Sequence, residues 1–218
     1  LAAAWSRIIR ENRERLLTMR KSKVVFLSLG VVALLGVSGC DMIAGYFRAQ
    51  EAATKWEGPV EEIVFEKLEK DGKVFDVELH SRIDAPIDAV WAAMKQPEKL
   101  AEYSTQYKKS ELLSAEGNKK VLELHVLALD NMQQFKVELT FDDATKTTTL
   151  KTLESTLADI QGSYELVPSP DGQKTLYIYK AKQTDKVALP ISVDVQRSAL
   201  KESFVNQVRA IKKQAGIG

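Results

Sequence analysis

The chain's stock of reactive side chains is small. It has two histidines, His80 and His125, and one cysteine, Cys40, in 218 residues. His80 falls on the polar side of an alternating segment and reads as a solvated residue. His125 shares an alternation phase with Val121, Glu123 and Leu127, and reads as a cross-strand polar neighbour more readily than as a cavity group. Metal ligands come as clustered His, Cys and carboxylates, and no such cluster stands in the sequence. There is no nucleophile elbow, no phosphate-binding glycine loop and no visible Ser-His-Asp set. Asp142-Asp143 and Asp130-Asn131 read as turns, where acids face water. Val121 to Leu129 is apolar on both faces apart from Glu123 and His125, so Glu123 is the one acid that reads as lying in an apolar setting with a raised pKa. A cyclase or dehydratase would need such a group beside its substrate. No metal and no cofactor is expected.

Cys40 has a different context. Arg20, Lys21 and Lys23 precede an uncharged apolar run from Val24 to Val37, and Ser38 and Gly39 lead into Cys40. That is the layout of a secretory signal peptide, with Met19 as its natural start. The run of 14 residues is shorter than the roughly 20 needed to span a bilayer. An uncleaved anchor or a buried helix with an incidental Cys is the other reading. Val37-Ser38-Gly39-Cys40 resembles the lipobox of bacterial lipoproteins. The resemblance implies cleavage between Gly39 and Cys40, lipidation of the Cys40 sulfur and acylation of the new amino group. One acyl chain binds membranes only marginally, at about 0.8 kcal/mol per buried CH₂, whereas two or three anchor stably. Asp41 resembles the enterobacterial signal for retention in the inner membrane. The expected address is therefore the periplasmic face of the inner membrane, with the outer membrane as the alternative. Residues 1–18 carry no expected function.

Charge separates along the chain. Of 31 Lys/Arg and 30 Asp/Glu, seven and two fall before residue 40, leaving 24 basic against 28 acidic side chains, a net of −4. Such a domain lacks the basic face that displaces counterions from phosphates, so no nucleic-acid partner is expected. A single cysteine cannot form an intramolecular disulfide.

Three segments follow: a leader over 1–39, a lipidated tether over 40–58 and a folded domain over 59–218. The tether has helical propensity, and its Tyr46, Phe47 and Trp56 could meet either the lipid interface or the domain. Gly58-Pro59 ends it. Period-2 patterns then predict strands over Val60–Leu68, Phe75–Ile83, Tyr107–Ala115, Val121–Leu129, Gln134–Phe141, Thr147–Leu153, Gly162–Val167 and Thr175–Ala181. Lys70-Asp71-Gly72-Lys73 and Pro168–Gly172 mark turns. Pro86 at the first helical position opens a short helix with Ile87, Val90, Trp91 and Met94 on its apolar face. A second short helix covers Pro97–Tyr103. A long helix from about Ile191 to Gln214 carries Leu200, Phe204, Val208 and Ile211 on one side.

This order, and above all Ile83-Asp84-Ala85-Pro86-Ile87-Asp88-Ala89-Val90-Trp91, resembles the helix-grip fold of the START, polyketide-cyclase and Bet v 1-like superfamily over about residues 60–214. Gln96 and Tyr103 depart from the family's usual Asp and Trp. The resemblance implies an α+β fold: a curved antiparallel sheet of six to seven strands wrapped on the C-terminal helix, with two short helices after an early strand. One helix cannot cover so large a concave apolar face, so either aromatics fill the gap or a cavity remains. Ligand pockets of this kind measure roughly 300–1,000 Å³. The resemblance implies a lipid or other hydrophobic small molecule as partner. Phe135, Val137, Leu139, Leu150, Tyr164, Tyr177, Leu200 and Phe204 are the expected lining. The favoured function is membrane-tethered ligand binding by a monomer. The alternatives are a cyclase- or hydrolase-type enzyme in the same cavity and an envelope interaction module with a filled core.

Overall fold

The structure is a computed structural model that describes residues 62–128, 131–188 and 190–217, together with Trp56. The leader, Gly39, Cys40, most of the tether and the Asp130 turn position lie outside the described residues. Among those described, no helix is long and apolar enough to cross a membrane.

Eight strands form one antiparallel sheet in the order β1-β2-β8-β7-β6-β5-β4-β3. They are β1 (Phe65–Asp71), β2 (Val74–Ile83), β3 (Tyr107–Glu116), β4 (Lys119–Ala128), β5 (Asn131–Asp142), β6 (Thr147–Ser155), β7 (Ala158–Pro168) and β8 (Thr175–Asp185). Strands β3 to β8 run as a meander, and the β1–β2 hairpin attaches to β8. Between β2 and β3 stand α1 (Ile87–Met94), a 3₁₀ turn (Pro97–Lys99) and α2 (Leu100–Tyr103). The chain then closes with α3 (Val193–Gln214). The sheet thus has eight strands rather than six to seven, because every alternating segment pairs, including the exposed edge strand β1.

Two boundaries moved for local reasons. The first strand starts at Phe65, not Val60, since its ladder begins where Phe65 meets His80. Asp71 closes that ladder opposite Val74, so the hairpin turn runs from Asp71 to Val74 with Gly72-Lys73 at its centre, one residue later than Lys70–Lys73. Gly72 takes a φ of 55° there, a left-handed conformation that costs a side-chain-bearing residue about 1–2 kcal/mol.

The alternation in the strands becomes a two-faced sheet. Phe75, Val77 and Leu79 of β2 are buried with Leu122 of β4, Phe141 of β5 and Leu166 of β7. Against this concave face lies α3, burying Phe204, Val208 and Ile211. Ser192 caps α3, its hydroxyl accepting from the Val195 amide at 3.3 Å. Asp194 in the first turn and Lys212 and Lys213 in the last complement the helix dipole. At its C-terminal end the helix buries Ala210 beside Leu100, Tyr107 and Val126. Helix α1 is held from outside: the Trp91 indole Nε1 donates to Asp143 Oδ1 at 2.6 Å, and Lys95 reaches the same oxygen at 2.8 Å.

The close approach of β7 and β8 depends on Gly162. It faces inward on β7, paired with Leu150 on one side and Ala181 on the other. A Cβ there would lie 2.3 Å from the Lys180 carbonyl oxygen and 2.7 Å from the Ala181 Cβ. The obstructing oxygen belongs to the adjoining strand's backbone and cannot swing away. Gly162→Ala is therefore expected to cost about 3 kcal/mol, at the upper end of overpacking effects. Gly172→Ala is the comparison. Its φ is 70° with open space around the added carbon, so only the backbone cost of about 1–2 kcal/mol applies. Urea unfolding of both variants checks the ranking.

Candidate functional site: an uncharged cavity under the C-terminal helix

A cavity of about 230 Å³ lies between the concave face of the sheet and α3. It is somewhat smaller than expected, because aromatic rings fill part of the space. Tyr164 stacks on Tyr179 with ring centroids 4.9 Å apart, and Tyr177 packs 5.8 Å from Phe204.

All eight residues singled out in the sequence are brought together around this space. Phe135, Val137 and Leu139 come from β5, Leu150 from β6, Tyr164 from β7 and Tyr177 from β8; Leu200 and Phe204 come from α3. Lining residues that were not foreseen include Tyr107, Thr148, Tyr179, Gln183, Gln196 and Gln207. Several had a signal. Tyr179 and Gln183 share the alternation phase of Tyr177. Gln196 lies one helical turn before Leu200, on the same stripe of α3. Gln133, Leu157, Ile160, Gln183 and Ser203 are among the lining residues that are partly exposed.

No Asp, Glu, Lys, Arg, His or Cys is among the described residues lining the cavity. Its titratable groups are four phenols, and burial keeps all four protonated. It pushes Tyr164 up to about 12 and lifts Tyr107, Tyr177 and Tyr179 well above the usual phenol value. Mutual proximity adds to this, since a phenolate on one would repel a phenolate on the next. For Tyr164 a side-chain hydrogen bond with Gln207 works in the opposite direction.

The other candidates lie elsewhere. Glu123 is not in an apolar setting. Leu122, Leu124 and Val126 take the inward positions of β4, which turns Glu123 and His125 outward. There Glu123 Oε1 meets Lys109 Nζ at 2.9 Å and His125 Nε2 at 2.7 Å. These hydrogen bonds, from Lys109 first and His125 second, hold its carboxyl below the usual value rather than above it. His80 is less solvated than its alternation suggests. Edge strand β1 lays Phe65 over it, with ring centroids 4.6 Å apart, and Glu78 Oε1 lies 2.8 Å from its Nε2. His80 on β2 and His125 on β4 are separated by four intervening strands. Asp142 and Asp143 do form an exposed turn. The backbone amides of Ala144 and Thr145 donate to Asp142, and Asp143 anchors α1. No three metal-ligating side chains cluster among the described residues.

A long helix gripped by a curved sheet, with an apolar cavity between them, defines a helix-grip protein. The chain belongs to the polyketide cyclase/dehydrase and lipid transport family, whose model matches residues 74–216. Among solved structures it is similar to the ZhuI aromatase/cyclase from Streptomyces sp. R1128 (TM-score 0.58, 16% identity, 65% of this chain and 93% of that one). It is also similar to a START superfamily protein from Mycobacterium smegmatis (0.54, 13%, 66% and 98%). Major latex-like protein 151 from Panax ginseng is a third such structure (0.51, 15%, 64% and 97%). At these identities the likeness speaks for the fold. No curated protein sequence matches the chain.

Proposed function

We propose that the domain binds a lipid or other hydrophobic small molecule in the cavity beneath α3 while tethered to a membrane through lipidated Cys40. The observation that carries the binding reading is the lining: apolar walls, neutral hydroxyls and amides, and no ionised side chain. Such a surface solvates an apolar molecule and offers orientation through a few polar groups. It supplies no acid or base with a pKa near neutrality, which cyclase chemistry would require. The family description, which names lipid transport, agrees with the binding reading. The eight foreseen lining residues are then ligand contacts.

The tether rests on the signal-peptide layout ahead of Cys40 and on the lipobox resemblance. With Asp41 after the cysteine, we read its address as the periplasmic face of the inner membrane, with the outer membrane as the alternative; either bilayer would be both anchor and source of cargo. Native mass spectrometry of the purified protein after exposure to membrane lipid extract tests binding. A non-covalent adduct of defined mass is expected, and its persistent absence counts against the reading. Cys40→Ser tests the tether separately. The variant is expected to lose the acyl mass and move from the membrane to the soluble fraction, and retention at the membrane would refute the anchor.

A further inference from the structure

The cavity is apolar but not featureless. Tyr177 is fully buried and lines it, yet its hydroxyl has no hydrogen-bond partner among the described residues. Thr148, 1% exposed and also lining, has an equally unpartnered Oγ1. A buried hydroxyl left without a partner costs about 1–3 kcal/mol, so two within one cavity call for a common explanation. The sheet puts them close together. Thr148 on β6 pairs directly with Tyr164 on β7, and the Tyr164 ring lies 5.6 Å from that of Tyr177. The two residues therefore flank Tyr164 on one stretch of the cavity wall.

We propose that Tyr177 and Thr148 form the polar subsite of the cavity, where their hydroxyls donate to the oxygen of an uncharged, carbonyl-bearing hydrophobic ligand. This rests on the cavity-binding reading and narrows it to a ligand class. A hydrocarbon would leave both hydroxyls unsatisfied. A carboxylate would be buried with no cation on the walls to balance it, which is strongly unfavourable. A ketone, ester or quinone oxygen accepts up to two hydrogen bonds and carries no charge. Burial also holds Tyr177 as the neutral phenol, so it remains a donor across the whole neutral range.

Three probes of the same shape separate these cases: 2-acetylnaphthalene, 2-isopropylnaphthalene and 2-naphthoate, titrated at pH 8 by fluorescence. The wild-type protein is expected to bind the first two and not the carboxylate. Tyr177→Phe removes one oxygen and should weaken 2-acetylnaphthalene roughly tenfold, the worth of one well-placed hydrogen bond. The same change should leave 2-isopropylnaphthalene unchanged or slightly tighter. Thr148→Val keeps the side-chain shape and should act in the same direction, which guards against a folding defect in either variant. If both variants leave the ketone's affinity intact, or weaken both neutral probes equally, the subsite is wrong while cavity binding stands. Naphthoate binding as tightly as the ketone would also overturn the subsite. If no probe binds the wild-type protein, the cavity-binding reading fails and takes the subsite with it.

Discussion

Above pH 10 the domain is expected to unfold in a single steep transition, with four tyrosines ionising as it does so. The cause is the set of buried phenols around the cavity. In the unfolded chain a tyrosine loses its proton near pH 10. In the folded domain Tyr164 holds its proton to about 12, and Tyr107, Tyr177 and Tyr179 also ionise later than in the unfolded chain. The sign follows from proton counting. These groups have raised folded values, so their contribution is complete below pH 10. It is lost as pH rises from there toward the folded values, because the unfolded state then binds fewer protons. Each phenol tilts the balance by about 1.4 kcal/mol per pH unit. Four together give roughly 5 kcal/mol per unit, which exhausts a typical domain stability of about 5–15 kcal/mol within one to three units. Phenolate absorbance near 295 nm and far-UV circular dichroism should therefore change in the same sigmoid. Tyr107→Phe should make the loss of stability with pH shallower by about a quarter. Gradual phenolate formation with unchanged dichroism would show that these rings are not buried as the structure has them.

The pH behaviour depends on features that the sequence reveals unevenly. The resemblance to a helix-grip fold brought Tyr164 and Tyr177 into the expected lining, on strands whose period of two places alternate residues on one face. The same logic covers Phe135, Val137 and Leu139, and helical spacing covers Leu200 and Phe204. What alternation cannot supply is the neighbour across the ladder. Glu123 looked apolar because its strand is apolar on both faces, but the inward face belongs to Leu122, Leu124 and Val126. Its actual neighbours are Lys109, from the preceding strand, and His125, two residues along. His80 looked solvated until the register set Phe65 opposite it. Thr148 stands opposite Tyr164, and Tyr164 beside Tyr177, only because β6, β7 and β8 pair in one particular register. Sequence thus revealed the walls of the cavity, while its polar chemistry is a property of strand pairing.

The largest effect of such long-range pairing is expected at Lys70 and Asp185, 115 positions apart. Both alternate inward: Lys70 at the end of β1 and Asp185 at the end of β8, on either side of β2. Lys70 Nζ lies 2.8 Å from Asp185 Oδ2, and their side chains are only 13% and 6% exposed. The ammonium also donates to Gln196 Oε1 and sits 4.3 Å above the Phe75 ring. Gln183 donates its amide to the second Asp185 oxygen at 3.2 Å. Because Gln183 and Gln196 both line the cavity, this ion pair braces the start of α3 against the sheet. Removing one partner leaves a buried charge uncompensated, which typically costs about 3–5 kcal/mol. Asp185→Leu should therefore lower the melting temperature by roughly 10 °C, at about 2–4 °C per kcal/mol for a domain of this size. Replacing both partners is different. A buried pair exchanged for apolar groups of similar volume is often neutral, so Lys70→Met with Asp185→Leu should recover most of the loss. A double variant no more stable than Asp185→Leu alone would mean that the carboxylate supports β8 through its contact with Gln183 and not through Lys70. Recovery in the double variant would instead show that the cost lies in the stranded ammonium, and that the N-terminal end of α3 can be held over the cavity by packing alone.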